Sequence, residues 1–138
     1  MTTPAEALAG LRAAARSGEL TRLGDDLGLT LVLVFGSAER GEPDARDLDV
    51  AVAARPGTRV DALAVVSTLI ELTRFDGMDV MDLDRAGPVA RQQALVPGEP
   101  LYEFEPGAFI TEQMRASGER LSTEWMRRHS LERLAGRR

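Results

Sequence analysis

The sequence predicts an α/β fold in which a small mixed β-sheet is flanked by helices. Two short apolar runs, residues 31–35 and 48–53, have the length and composition of buried strands. Residues 60–75 place apolar side chains at helical spacing, and a third candidate strand, residues 78–83, follows them. A strand, a strand, a helical crossover and a third strand, wrapped by further helices, form an α/β layer arrangement.

Two helices are predicted ahead of the first strand. Thr3 and Pro4 are residue types typical of an N-cap and of the first helical position. The Ala-rich segment after them favours a helix that ends before Gly18. A second short helix follows, so that the two helices together span residues 4–27.

The central strands are predicted to be enclosed by other elements. Because the first strand is apolar throughout, we expect both of its faces to be buried. Gly36 and Ser37 end this strand, and we expect Ser37 to cap a short helix over residues 38–40. The second strand ends at a turn over residues 55–57, where a proline and a glycine are adjacent.

Three more elements are predicted after the third strand. They are a helix over residues 87–96, a short edge strand over residues 101–104, and a helical tail over about residues 106–135. One apolar stripe of the tail either closes the core of this domain or docks a partner, and the sequence leaves both readings open. The stripe consists of Ile110, Met114, Leu121 and Trp125.

Length and composition suit a single domain of 138 residues with its core at about residues 23–102. The net charge is −5, and strong non-specific binding to nucleic acid requires a basic surface, so we do not expect such binding. The chain has no cysteine, which excludes disulfides and thiolate metal sites. No apolar run is long enough for a membrane span and no signal-peptide pattern is present, so we expect a cytoplasmic protein. The sequence leaves open whether the chain forms a homo-oligomer.

Asp47 and Asp49 form the most informative motif, because residues i and i+2 of a strand point to the same face. Two adjacent carboxylates repel each other, and a divalent cation between them removes that repulsion. A hard cation such as Mg²⁺ prefers oxygen ligands together with substrate phosphates. The pair therefore predicts a metal site.

Gly36, Ser37 and Arg40 precede this pair and predict a phosphate site. A glycine can take a positive φ angle and lets a ligand approach the backbone closely. Ser37 supplies a hydroxyl donor, and free N–H groups at a strand-to-helix turn bind anions. Arg40 adds a positive charge one helical turn further along the chain.

A third carboxylate lies on the next predicted strand. Asp79, Asp82 and Asp84 cannot all face the same way, since Asp82 and Asp84 share one face of a strand and Asp79 lies on the other. The apolar residues among them occupy both faces and leave the choice open.

The motifs resemble those of the DNA polymerase β-like nucleotidyltransferases, in particular the small MNT (minimal nucleotidyltransferase) proteins. Their signature is G-S, a spacer of about ten residues, D-x-D, and one more Asp on a later strand. This chain matches it at Gly36, Ser37, Asp47 and Asp49, and Arg40 with the following glycine is similar to the family's R-G. The resemblance covers about residues 23–102. It departs from the family in a short spacer of nine residues and in an arginine where a serine often precedes D-x-D.

The resemblance implies the polymerase β-like fold and assigns Asp79 as the third carboxylate, with Asp82 as the alternative. It implies two Mg²⁺ ions held by Asp47, Asp49 and Asp79, about 3.5–4 Å apart. ATP would be cradled by Gly36, Ser37 and Arg40, and AMP would pass to a hydroxyl group.

Free-standing MNT proteins are similar to antitoxins that pair with a HEPN-family ribonuclease toxin. The implied acceptor is a tyrosine of such a toxin, which would be a separate chain. One alternative is transfer to a small molecule, as in aminoglycoside nucleotidyltransferases, although these usually carry an extra helical domain. The other is a non-catalytic antitoxin that silences its partner by occlusion.

Overall fold

The computed structural model describes residues 2–118, which fold into a four-stranded sheet between two layers of helices. The predicted fold class, a small mixed sheet flanked by helices, is confirmed. The strands are Leu29–Phe35 (β1), Leu48–Ala54 (β2), Met78–Asp82 (β3) and Glu99–Glu103 (β4). The helices are Pro4–Ser17 (α1), Glu19–Asp26 (α2), Gly36–Glu39 (α3), Ala62–Thr73 (α4), Pro88–Leu95 (α5) and residues 108–118 (α6).

The sheet has the strand order β3-β2-β1-β4. β1 pairs antiparallel with both β2 and β4, whereas β2 and β3 are parallel and are joined by the crossover helix α4. The registers place Phe35 opposite Asp49 and Asp49 opposite Asp79. β4 is an edge strand, as predicted, and begins at Glu99, two residues earlier than expected.

Both faces of the sheet are covered, which confirms the burial predicted for β1. Residues 31–34 of this strand are at most 2% exposed. One face packs against α1, α2 and α4, and the other against α5 and α6. Since strand side chains alternate, Val32 and Val34 enter the first core and Leu31 and Leu33 enter the second.

Local sequence signals explain where the first helix begins and ends. Thr3 is the N-cap, its hydroxyl accepts from the Glu6 N–H at 3.1 Å, and the Glu6 carboxylate accepts from the Thr3 N–H at 3.2 Å. This capping box satisfies two backbone groups at the helix start. Gly18 ends the helix at φ +87°, a conformation that glycine adopts at low cost.

The crossover helix is shorter than the residues 60–75 predicted from its apolar spacing. The Asp61 carboxylate accepts from the Ala64 N–H at 3.1 Å, so the helix begins at Ala62. Arg74 takes a left-handed conformation with φ +58° and ends it.

The prediction that Ser37 caps α3 is wrong. The N-cap is Phe35, which has an extended backbone, and no side-chain hydrogen bond caps this helix. Gly36 turns the chain sharply with φ +82°, so the helix begins one residue before Ser37. Ser37 therefore lies inside the first turn, and its carbonyl accepts from the Glu42 N–H at 3.0 Å.

The apolar stripe predicted on the C-terminal helix does not face the core in the described residues. Ile110 is 54% exposed and Met114 is 70% exposed, whereas Phe109 and Ala116 are buried. Leu121 and Trp125, and the predicted continuation of this helix, lie outside the described residues. No helix within residues 2–118 combines the length and the apolar character needed to cross a bilayer.

Candidate active site

The sheet register brings the predicted carboxylates to one end of the sheet. Asp49 is the second residue of β2 and Asp79 the second residue of β3, and the two are paired across the parallel strands. Asp47 comes directly before β2. Phe35 pairs with Asp49 on the other side, so Gly36 follows β1 at the same end of the sheet.

Gly36 is in close contact with the Asp49 carboxylate. A Cβ atom at position 36 would lie 2.1 Å from Asp49 Oδ2 and 3.1 Å from its carboxyl carbon. Two constraints therefore favour glycine at position 36: the backbone φ of +82°, and the carboxylate that occupies the space a Cβ atom would need. The two halves of the sequence motif are in direct contact in the fold.

Asp49 is the electrostatic centre of the site. Its half-buried position raises the pKa of its carboxyl group, and the charge of Asp79, a hydrogen bond with Asp79 and the charge of Asp47 raise it further. Arg40 acts in the opposite direction and lowers the pKa of this group. Three other predicted site residues, Asp79, Asp47 and Arg40, thus influence the pKa of this one carboxylate.

Arg40 and Ser37 lie on or directly after the short helix α3. The Arg40 guanidinium donates to the Glu42 carboxylate at 2.8 Å, and both side chains are about half exposed. This ion pair is on the surface and is weak, so it leaves Arg40 free to exchange Glu42 for another anion. Ser37 is half-buried beside it.

Asp82 lies at the opposite end of β3 from Asp79. It pairs with Val52, and its Oδ1 atom accepts from the Asp84 N–H at 3.0 Å. Asp82 is three positions after Asp79 along the strand, a distance of about 10 Å, and the two side chains are on opposite faces of the sheet. The fold thus places Asp79 with Asp49 and leaves Asp82 outside this group of carboxylates.

The chemistry of these residues fits a hard divalent cation. Asp47, Asp49 and Asp79 supply oxygen ligands of the kind that Mg²⁺ prefers. Burial is the largest cause of the raised pKa of Asp49, and the charges of Asp79 and Asp47 add a repulsion that a cation between the three groups would relieve. Within residues 2–118, no three side chains are already arranged as a complete metal-binding cluster.

An ion pair that has no signal in the sequence joins two elements of the fold close to α3. Arg12 in α1 donates through two nitrogens to the Glu99 carboxylate in β4, at 2.9 and 2.6 Å. The hydrogen bonds to Glu99 raise the pKa of Arg12, and the charge of Glu39 in α3 contributes to the same rise. Arg12 therefore joins α1 and β4 beside the helix that carries Ser37.

Comparisons with known proteins identify the fold. No protein-family model and no curated protein matches the sequence. A toxin–antitoxin crystal structure with AMP-PNP contains a chain with 21% identity and a TM-score of 0.65, covering 86% of this chain and 98% of that one. The structure of a tri-AMPylated Shewanella oneidensis HEPN toxin in complex with MNT antitoxin gives 19% identity and a TM-score of 0.62, covering 91% and 99%.

A third structure, the toxin–antitoxin pair MntA–HepT, gives 20% identity and a TM-score of 0.60, covering 86% of this chain and 96% of the other. These matches extend over nearly the whole of the antitoxin chains. The resemblance drawn from the sequence motifs is therefore confirmed at the level of the fold, and this chain shares its fold with the chains matched in these toxin–antitoxin structures.

Proposed function

We propose that this protein is a Mg²⁺-dependent nucleotidyltransferase that transfers AMP from ATP to a tyrosine hydroxyl of a HEPN-family toxin and thereby acts as its antitoxin. The observation that carries the proposal is the contact between Gly36 and the Asp49 carboxylate, with Asp79 paired beside it. A phosphate-binding turn and a group of metal-binding carboxylates meet there, which is the arrangement that phosphoryl transfer requires.

The residues of the site have separate roles in this reaction. The turn at Gly36 and Ser37 binds the triphosphate through backbone N–H groups and a hydroxyl, and Arg40 exchanges Glu42 for a phosphate oxygen. Asp79 accepts the proton of the acceptor hydroxyl as general base. The hydroxyl oxygen forms a bond to the α-phosphorus, the bond from that phosphorus to the β-phosphate oxygen breaks, and pyrophosphate leaves.

Asp47, Asp49 and Asp79 would hold Mg²⁺, which would stabilise the charge on the transferring and departing phosphates. Electrostatic stabilisation and positioning account for most of the rate in phosphoryl transfer, so a small fold is sufficient. The partly buried position of Asp49 strengthens these interactions, because the local dielectric constant is lower than that of water.

The acceptor is proposed from the structural neighbours. One of them contains a tri-AMPylated HEPN toxin beside its MNT antitoxin, and another contains the ATP analogue AMP-PNP. Both support a toxin partner and a nucleotide substrate for this chain. A tyrosine offers the hydroxyl group that the proposed reaction modifies.

The proposal is tested by labelling in the native host. The protein is captured with its bound partners and incubated with Mg²⁺ and α-labelled ATP. We expect label on a co-purifying protein. EDTA added before the reaction should prevent labelling, and the variant Asp47→Asn/Asp49→Asn should not label the protein. The control is Asp44→Asn, which removes an exposed carboxylate from the same loop and should label at the wild-type rate. Labelling by the double variant at the wild-type rate would show that the metal site is misassigned.

A non-catalytic antitoxin is the second candidate, because no complete three-ligand cluster exists within residues 2–118. The same double variant separates the two functions. If it still binds the toxin and protects cells from it, neutralisation occurs by occlusion rather than by transfer. Pyrophosphate release with small hydroxyl compounds, without a labelled protein, would instead indicate a small-molecule nucleotidyltransferase.

A further inference from the structure

A cavity of about 450 Å³ opens at the carboxyl ends of the two parallel strands. Its walls are residues 54–60, which follow β2, together with Asp82, Asp84 and Arg85, which follow or end β3. The proposed transfer site is at the amino ends of the same strands. Ala54 is five positions after Asp49 along the strand, a distance of about 16 Å. The cavity is therefore distinct from the transfer site.

Position and size both favour a ligand site. In open α/β sheets, ligands bind outside the carboxyl ends of parallel strands, where the connecting loops diverge. Here the loop after β2 leads into α4, and the loop after β3 leads towards α5. Small-molecule sites in proteins range from about 300 to 1,000 Å³, and this cavity lies within that range.

One of the cationic side chains in the cavity wall is already used by the fold. Arg55 donates to the Leu29 carbonyl at 3.2 Å and to the Asp25 carboxylate at 2.8 Å. Its guanidinium also lies 3.7 Å from the centre of the Phe104 ring. Arg55 therefore shapes the wall of the cavity and is not available as a principal ligand-binding group.

Two other arginines in the cavity wall are available for a ligand. Arg59 and Arg85 are exposed, and neither forms an ion pair with any of residues 2–118. They come from the loops after different strands and line the same cavity. Two guanidinium groups that line one cavity can bind the oxygens of one phosphate, a ligand for which arginine is well suited.

The carboxylates of the wall are partly used by backbone groups. Asp84 Oδ2 accepts from the Ala54 N–H at 2.9 Å, and Asp82 Oδ1 accepts from the Asp84 N–H at 3.0 Å. Each carboxylate keeps a second oxygen that can accept from a hydroxyl group. Because Arg55 is paired with Asp25, two arginines and two aspartates of the wall remain for a ligand, which suits a molecule that carries both an anionic group and hydroxyl groups.

We propose that this cavity binds a small sugar phosphate, such as a ribose phosphate. Arg59 and Arg85 bind the phosphate group, and the free oxygens of Asp82 and Asp84 accept from the sugar hydroxyls. The site is independent of the transfer reaction, and its occupancy requires neither ATP nor a metal ion. The binding of a sugar phosphate in this cavity does not depend on the proposed transferase function.

Binding is tested by isothermal titration calorimetry with three ligands: ribose 5-phosphate, inorganic phosphate and ribose. The titrations are made in the presence of EDTA and with the Asp47→Asn/Asp49→Asn protein. This background removes metal-dependent phosphate binding at the transfer site. We expect ribose 5-phosphate to bind more tightly than inorganic phosphate, and ribose alone to bind more weakly than both. The variant Arg59→Gln/Arg85→Gln should weaken binding of both phosphates by about tenfold or more.

Two further variants make the test specific. Arg16→Gln/Arg22→Gln removes the same charge from exposed helix positions outside the cavity and should leave the affinity unchanged. Asp82→Asn should retain phosphate binding and reduce the preference for ribose 5-phosphate. Equal losses in the two arginine double variants would overturn the proposal, since they would show that only overall charge matters. Wild-type affinity in Arg59→Gln/Arg85→Gln would overturn it as well.

Discussion

The contact between Gly36 and Asp49 can be tested by adding a single methyl group. Gly36→Ala places a Cβ atom 2.1 Å from Asp49 Oδ2 and forces a non-glycine residue to φ +82°. Both effects oppose the native arrangement, and they can be measured separately. Gly41 provides the matched control, because its φ is +77° and a Cβ atom there would have no neighbour within 4 Å.

The two effects differ in size. A left-handed conformation costs a non-glycine residue about 1–2 kcal/mol, and both variants share this cost. Displacement of a packed group by an added methyl costs about 1–3 kcal/mol more, and it applies only at position 36. We therefore expect Gly36→Ala to lower the free energy of unfolding by about 2–5 kcal/mol, against about 1–2 kcal/mol for Gly41→Ala.

Urea denaturation of the two variants, in wild-type and Asp49→Ala backgrounds, measures the coupling. Without the Asp49 carboxylate, the cost of Gly36→Ala should fall to nearly that of Gly41→Ala, whose own cost should not change. In the labelling assay, Gly36→Ala should lose about 100-fold in rate, because its Asp49 carboxylate is displaced by about 1 Å. The close contact would be refuted by equal costs for the two variants in both backgrounds.

Three further predictions address the carboxylates and their support. Asp79→Asn should lose far more transfer activity than Asp82→Asn in the labelling assay, and the reverse order would exchange their roles. Because the pKa of Asp49 is raised in the folded protein, its stabilising contribution is present below the unfolded-state pKa and is lost as the pH rises through the folded-state pKa. Thermal unfolding in EDTA should therefore show wild type losing stability relative to Asp49→Asn above about pH 4, and a difference that does not vary with pH would contradict this. Hydrogen bonds from Arg12 lower the pKa of Glu99. The pair therefore stabilises the folded protein at pH values above the unfolded-state pKa of Glu99, and this stabilisation is lost as the pH falls through the folded-state pKa. Glu99→Gln should cost less than about 1 kcal/mol at neutral pH, since both side chains are about one third exposed, and urea denaturation should show a larger cost at pH 7 than at pH 3.

The central strands and the site were the part of the fold that the sequence predicted best. β1 and β2 are apolar runs because both of their faces are buried, and such runs are visible without knowledge of the tertiary structure. The motif predicted Gly36 and Asp49 on neighbouring strands, the family resemblance assigned Asp79 as the third carboxylate, and the register brings the three residues to one end of the sheet. The roles of these residues in catalysis stay predictions.

The outward orientation of the stripe on α6 could not be predicted from periodicity. Its buried face includes the partly buried polar residue Glu112, whose carboxylate accepts from the buried Arg91 at 2.7 Å. Arg91 also donates to the Leu83 carbonyl, so a long-range polar contact fixes the rotation of the helix. A pattern of apolar residues alone cannot identify such a face, so the pattern did not show whether Ile110 faces the core. The ion pair between Arg12 and Glu99 could not be predicted from local sequence patterns either, because its partners are 87 positions apart in the chain.

Because β1 and β2 pair antiparallel, the geometry of the site does not depend on the length of the loop between α3 and β2. Phe35 and Asp49 are held opposite each other by the strand ladder and by the two cores on either side, and the eight residues between α3 and β2 do not set this register. Doubling the length of such a loop adds only about 0.6 kcal/mol of closure entropy. A peptide tag or a small sensor domain could therefore be inserted near Pro43 while Gly36 and Asp49 stay in contact, which makes this loop a suitable place for a reporter of partner binding.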